Sequence, residues 1–172
     1  MLRKYLGTAA LALAFGSAHA QTIKIGFVDP LSGPFANVGE QGLRGYQLVV
    51  EEVNARGGVA GKPVELVTLD DANDRKTAGA NTQALLQDKR AVALFGFASA
   101  TLSLDAMPQA DKAGTLFFAP LSGADPVRKA PPVVYTMRAS YGEEMEKILA
   151  FWTGLGMKKV VVVHYDDEVG KQ

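Results

Sequence analysis

The stretch TIKIGFVDPLSGPFANVGEQGLRGYQLVVEEVNARGG, residues 22–58, decides the fold. It opens with an almost wholly apolar run, 22–28, of the kind that forms a strand covered by helices on both faces. A turn-rich loop, 29–39, follows it. Apolar residues then recur at helical spacing as Leu43, Tyr46, Val50 and Val53. Asn37 and Glu40 stand three apart as a capping-box pair at the expected helix start, and Gly57-Gly58 supplies the stop. Strand, loop and amphipathic helix in this order are the first half of a βαβ unit.

The same alternation continues outward from that unit. Runs at 64–69, 91–96, 115–119, 133–137 and 159–164 read as further strands. Helices are expected between them: 75–89, capped by Asp74; 101–113, in which Pro108 marks a kink or a late start; and 141–155, capped by Ser140 with Glu143 three residues on. The last is expected to bury Met145, Ile148, Leu149 and Trp152. The proline-rich segment 122–132 reads as a loop. Such alternation gives an α/β, doubly wound parallel sheet. We read 21–139 as an incomplete first lobe, with a crossover over 133–139, and 140–172 as the truncated start of a second.

Residues 1–20 stand apart as a signal peptide. Arg3 and Lys4 precede the apolar stretch 5–15, and Ala18-His19-Ala20 has the small-residue form of a cleavage site. This predicts an exported, periplasmic protein, and the stretch is too short to span a bilayer. No cysteine is present, so neither a disulfide nor a lipid anchor is expected. Beyond residue 20 the chain has sixteen basic and eighteen acidic residues with no basic block, which argues against a nucleic-acid partner. Neither G-x-G-x-x-G nor a Gly-Lys-Ser/Thr loop occurs, so no nucleotide cofactor is expected.

Open parallel sheets bind ligands where strands end and helices begin. After the third strand, Ser99 and Thr101 sit among small residues at 96–101. They could hold a carboxylate with nearby N–H groups, or simply cap the next helix. After the fourth, 120–125 forms a second small-residue corner. Its carbonyls and the Ser122 hydroxyl could accept from an ammonium group, or it is only a turn. Phe35 either lines a pocket or anchors its loop. Asp70, Asp71 and Asp74 suggest a metal or ribose site, yet their spacing fits no EF-hand and capping explains Asp74. His164 and the acids at 166–168 read as strand end and turn; a Ser-His-Asp triad would rest on His164 alone.

Taken together, residues 21–58 with SGP at 32–34 and NARGG at 54–58, GKPVEL at 61–66, Asp70-Asp71, 96–101, 120–125 and 160–170 resemble the N-terminal part of the leucine/isoleucine/valine-binding proteins, a type I periplasmic binding fold. The resemblance implies two lobes closing on an amino acid, of branched-chain type or a related small carboxylate, and delivering it to the permease subunits of an ABC transporter in the inner membrane. It implies a binder and not an enzyme, a monomer at full length. By position, Ser99 and Thr101 would take the ligand carboxylate, the Leu121 backbone and Ser122 the ammonium, and Tyr141 would reach the cleft from the second lobe. Two departures stand out: Ser122 is offset by one residue from the family hydroxyl, and Val169 replaces a common aromatic. Family members are also about twice this length. Two rival readings remain, a ligand-sensing receptor of the same fold and an exported hydrolase or amidase. The latter lacks a G-x-S-x-G elbow.

Overall fold

A computed structural model describes residues 21–164, 166, 170 and 171. The expected signal peptide, and Val169 with two of the acids at 166–168, lie outside the described residues. Five strands form one sheet in the order β2-β1-β3-β4-β5, every neighbouring pair parallel. They are β1 (Ile23–Asp29), β2 (Val64–Asp70), β3 (Ala93–Gly96), β4 (Leu116–Phe118) and β5 (Val134–Tyr135). The helices are α1 (Ala36–Ala55), α2 (Arg75–Gln87), α3 (Ala100–Ala113), α4 (Asp125–Arg128) and α5 (Tyr141–Gly154).

Strand alternation splits the core into two halves. On one face Gly26, Val28, Leu94 and Phe117 meet Leu85, Ala78, Ala106 and Ala110 of α2 and α3. Gly26 has no room for a side chain: a Cβ there would lie 2.7 Å from Leu85 Cδ1. On the other face Tyr46 of α1 packs its ring 5.3 Å from Phe27 and 5.5 Å from Phe95, and Phe95 in turn lies 5.1 Å from Phe118. These offset rings add to the area each buries. The Leu43, Tyr46, Val50 and Val53 stripe is the inward side of α1, all four partly buried.

Several expectations need correction. The capping box at Asn37 and Glu40 does not form. A 3-10 turn, Gly33–Phe35, draws the helix start forward so that Phe35 is the N-cap and Asn37 already lies inside. Pro108 neither delays nor divides α3, which starts at Ala100; the proline itself is exposed, while Ala106 and Met107 of the same turn stay in the core. The 122–132 loop contains the one-turn α4, set by Pro126 at its start. By contrast, Asp74 caps α2 through the Thr77 N–H, and Ser140 with Glu143 forms a reciprocal capping box on α5.

The largest correction concerns the end of the chain. Residues 159–164 form no strand, and Val161 and Val163 are 88% and 92% exposed. A strand needs a hydrogen-bonded neighbour, and no described strand lies beside this segment. On α5, Met145, Ile148 and Trp152 are exposed and only Leu149 is half-buried. The amphipathic pattern is present, but no described layer covers it.

Candidate functional site

The sheet reverses its direction of growth at β1. The chain steps from β1 outward to β2, then returns across β1 to β3, β4 and β5. The crevice at the carboxyl ends of β1 and β3 is therefore the switch point, where open α/β sheets take ligands. A pocket of about 210 Å³ opens there, lined by Pro30, Phe35, Val38, Asn73, Ala98 and Ser99.

Its walls are tight corners. Gly96 has φ +93° and cannot carry a side chain, since a Cβ would meet Val28 O at 2.5 Å. Phe97 follows at φ +59°, an uncommon conformation for a bulky residue. Its N–H donates to Val28 O at 2.7 Å, and its buried ring meets Phe117 at 4.8 Å. Those contacts hold the strained turn. Ala72, Asn73 and Ala119 also have positive φ, so the corners beyond β2 and β4 are bent in the same way. Backbone strain of this kind gathers at functional sites.

The corner beyond β3 leads directly into α3. Ser99 is the N-cap, yet its side chain makes no capping hydrogen bond. Its carbonyl accepts from the N–H and the hydroxyl of Ser103. The first N–H groups of α3 are thus left without a side-chain cap beside the pocket, at the positive end of the helix dipole. Thr101 lies in that first turn, half-buried.

Acidic groups organise the other side. Asp70 Oδ1 accepts from the Leu31 and Ala72 N–H groups, each at 2.8 Å. The Ser32 side chain, then these amides, hold its carboxyl below the usual range. Asp71 is fully buried; its Oδ1 accepts from Asn73 N, and its Oδ2 has no partner among the described residues. Burial raises it. Asp29, ending β1, is 5% exposed and accepts from the Ala98 N–H at 2.6 Å. Burial pushes it up to about 6, against the Ala98 bond and with help from the nearby Asp71 charge. Among the described residues no group of three His, Cys, Asp or Glu is placed to hold a metal.

Ser99 and Phe35 therefore meet at one pocket. Leu121, Ser122 and Tyr141 form a separate cluster beyond β4. Ser122 is 1% exposed; its hydroxyl accepts from the Ala124 N–H and lies 3.4 Å from the Tyr141 hydroxyl. Leu121 is exposed, and its carbonyl accepts from Arg138. Tyr141 donates its N–H to Gly123 O, and its ring lies so close to Gly123 that a Cβ there would be 3.0 Å away. Arg138 stacks on that ring at 5.1 Å while gripping Glu144 with two hydrogen bonds. The start of α5 is thus fastened to the corner. Val38, Asn73 and Asp29 were not singled out from sequence. The signal for Asp29 was an acid closing an almost wholly apolar strand.

Similarity to known proteins bears on this arrangement. A family model described as "Periplasmic binding protein" matches residues 22–172. The Leu/Ile/Val-binding protein homolog 7 of Brucella abortus is 29% identical over 181 residues, covering 99% of this chain and 45% of its own. A possible leucine/isoleucine/valine-binding protein from Rhodopirellula baltica superposes with a TM-score of 0.77 at 29% identity, over 81% of this chain and 38% of its own. LivJ from Streptococcus pneumoniae, a branched-chain amino acid transporter substrate-binding protein solved with isoleucine, gives 0.65 at 30% identity, over 70% and 34%. The chain spans about half the length of the curated relatives it matches.

Proposed function

This chain belongs to the periplasmic binding protein family, and from that premise we propose that it captures a small carboxylate-bearing solute, foremost a branched-chain amino acid, for an ABC importer. In this reading residues 1–20 direct export to the periplasm. Residues 21–139 are the first ligand-binding lobe, and 140–172 begin the second. The partners are the permease subunits of the inner membrane, and the working form is a monomer that binds without turnover.

One observation carries the reading. The uncapped first turn of α3, with the unused Ser99 hydroxyl, opens onto the pocket shared with Phe35 and Ala98. Such a group of donors satisfies a carboxylate without a buried cation. Ser99 and Thr101 take the carboxylate there, and Phe35 covers apolar surface. The carbonyl of Leu121 faces the ammonium from the second corner. Ser122 and Tyr141, bonded to each other and to the loop, hold that corner in shape. Relatives that carry leucine, isoleucine and valine in their names support the amino-acid class.

Titration calorimetry with isoleucine and with its deaminated analogue 3-methylpentanoate tests the assignment. Isoleucine should bind more tightly, and Ser99→Ala should weaken both by about 1–3 kcal/mol, because a desolvated carboxylate oxygen loses a donor. Equal affinities before and after the substitution would remove Ser99 from the site.

A further inference from the structure

We propose that Asp29 is a positioning residue whose charge governs the amide corner beyond β3, so that an anion entering that corner is accompanied by a proton taken up at Asp29. This deepens the carboxylate reading above and rests on it.

The geometry comes first. Asp29 does not line the pocket; Ala98 and Ser99 do. Asp29 lies behind them, with Oδ1 on the Ala98 N–H at 2.6 Å. The side chain is walled in. A Cβ on Gly96 would stand 3.1 Å from its Oδ2, and one on Gly39 of α1 would stand 3.1 Å from its Cβ. A second strand of contact ties the same residue to the next loop, because its carbonyl accepts from Asp71 N. Asp29 therefore fixes the Phe97–Ala98 peptide, just ahead of the N-cap of α3.

Charge then decides how that peptide behaves. The ionised carboxylate is an internal anion occupying an amide donor of the corner, one peptide away from where a ligand carboxylate would sit. Its neighbours offer no relief. Asp71 faces it from the loop after β2, with one oxygen unpartnered. Asp70, its register partner on β2, spends its Oδ1 on Leu31 and Ala72, and Tyr46 of α1 feels the Asp29 charge as a repulsion on its own ionisation. A further carboxylate arriving in this cluster disfavours the charged form of Asp29 still more. Burial has already lifted the group to about 6, so a modest additional rise carries it across neutral pH. A rise of one unit on binding corresponds to an affinity about tenfold tighter with Asp29 protonated.

Two measurements on the full chain test this. The backbone ¹⁵N shift of Ala98 is followed against pH without ligand, in the wild type and in Asp29→Asn, which keeps an oxygen for the Ala98 N–H but cannot titrate. The expected result is a transition near the Asp29 midpoint in the wild type and none in the variant. Isoleucine calorimetry then compares about pH 5 with about pH 8, a range in which the zwitterion keeps its charges. Wild-type affinity should be about tenfold tighter at the lower pH, with proton uptake visible as a buffer-dependent heat at a pH midway between the two, and Asp29→Asn should be flat. A pH profile unchanged in Asp29→Asn overturns the inference, since it assigns the proton elsewhere. Should isoleucine bind neither protein at any pH, the amino-acid reading falls, and the Ala98 titration alone decides: a wild-type transition that is lost in the variant sustains the role of Asp29, and a flat Ala98 ends it.

Discussion

Two regions of this chain carry equally clear amphipathic patterns and meet opposite fates. In the β1–β4 region the apolar residues find partners: Phe27, Val28, Leu94, Phe97 and Phe117 are wholly buried. In α5 and the run after it the same kind of residue stays outside, with Met145, Phe151, Trp152, Val161 and Val163 all exposed. The difference teaches what a hydrophobic period specifies. It says which face of an element will be covered, and says nothing of whether a covering layer is within reach.

The sharpest way to break this comparison is to cut one large side chain from each region. Phe117→Ala removes a ring packed against Phe97 under α3 and should cost about 3–5 kcal/mol, the range for truncating a buried aromatic. Trp152→Ala should change the chain's unfolding free energy by only about 0.5 kcal/mol, as befits an exposed position. Urea denaturation of both variants measures the contrast. Equal losses would mean that α5 is buried in solution.

That contrast also explains how far the sequence could be read. The alternation of strands and helices, the Asp74 cap and the Ser140–Glu143 box were legible because each is written within a few residues. The 159–164 strand was not, because a strand's existence depends on a neighbour distant in sequence. Asn37 failed as a cap for a related reason: the Gly33–Phe35 turn, closed by Pro34, moves the helix start by two positions, and nothing in the capping pattern itself records that. At the site, Ser99 and Phe35 could be named because they occupy loops after strands. Asp29 could not, since its significance comes from Ala98, far along the chain and adjacent only once β1 and β3 pair in register.

A second prediction separates the built region from the bare one by its response to pH. Asp29 holds its proton more tightly folded, near 6, than in the unfolded chain at the ordinary Asp value. Between those two values the native state binds the extra proton, so stability is greatest at and below the lower one and falls as pH rises to the upper. The difference amounts to about 3 kcal/mol. Burial raises Asp71 too, which adds in the same direction. Unfolding free energies at about pH 4.5 and about pH 7 should therefore differ in favour of acid, and Asp29→Asn should flatten most of the slope while stabilising the protein at the higher pH. A slope that Asp29→Asn leaves unchanged would mean that Asp29 is paired or solvated in solution.

The smallest effect sharpens the comparison within the built region itself, between two helix starts that look alike in sequence. Asp74 accepts from Thr77 N and its hydroxyl, whereas Ser99 makes no capping bond. Asp74→Ala should cost about 1 kcal/mol, the usual loss for a working N-cap. The same change at Ser99 should cost no more than about 0.5 kcal/mol, because an unused hydroxyl has little to lose. Thermal melts at low salt, where the helix dipole is least screened, give both numbers. If the two losses are equal, the Ser99 hydroxyl is already committed to its own helix and is not held in reserve for a ligand. If they differ as stated, α3 forgoes a cap that the neighbouring helix keeps, which is how a helix start behaves when an anion is meant to complete it.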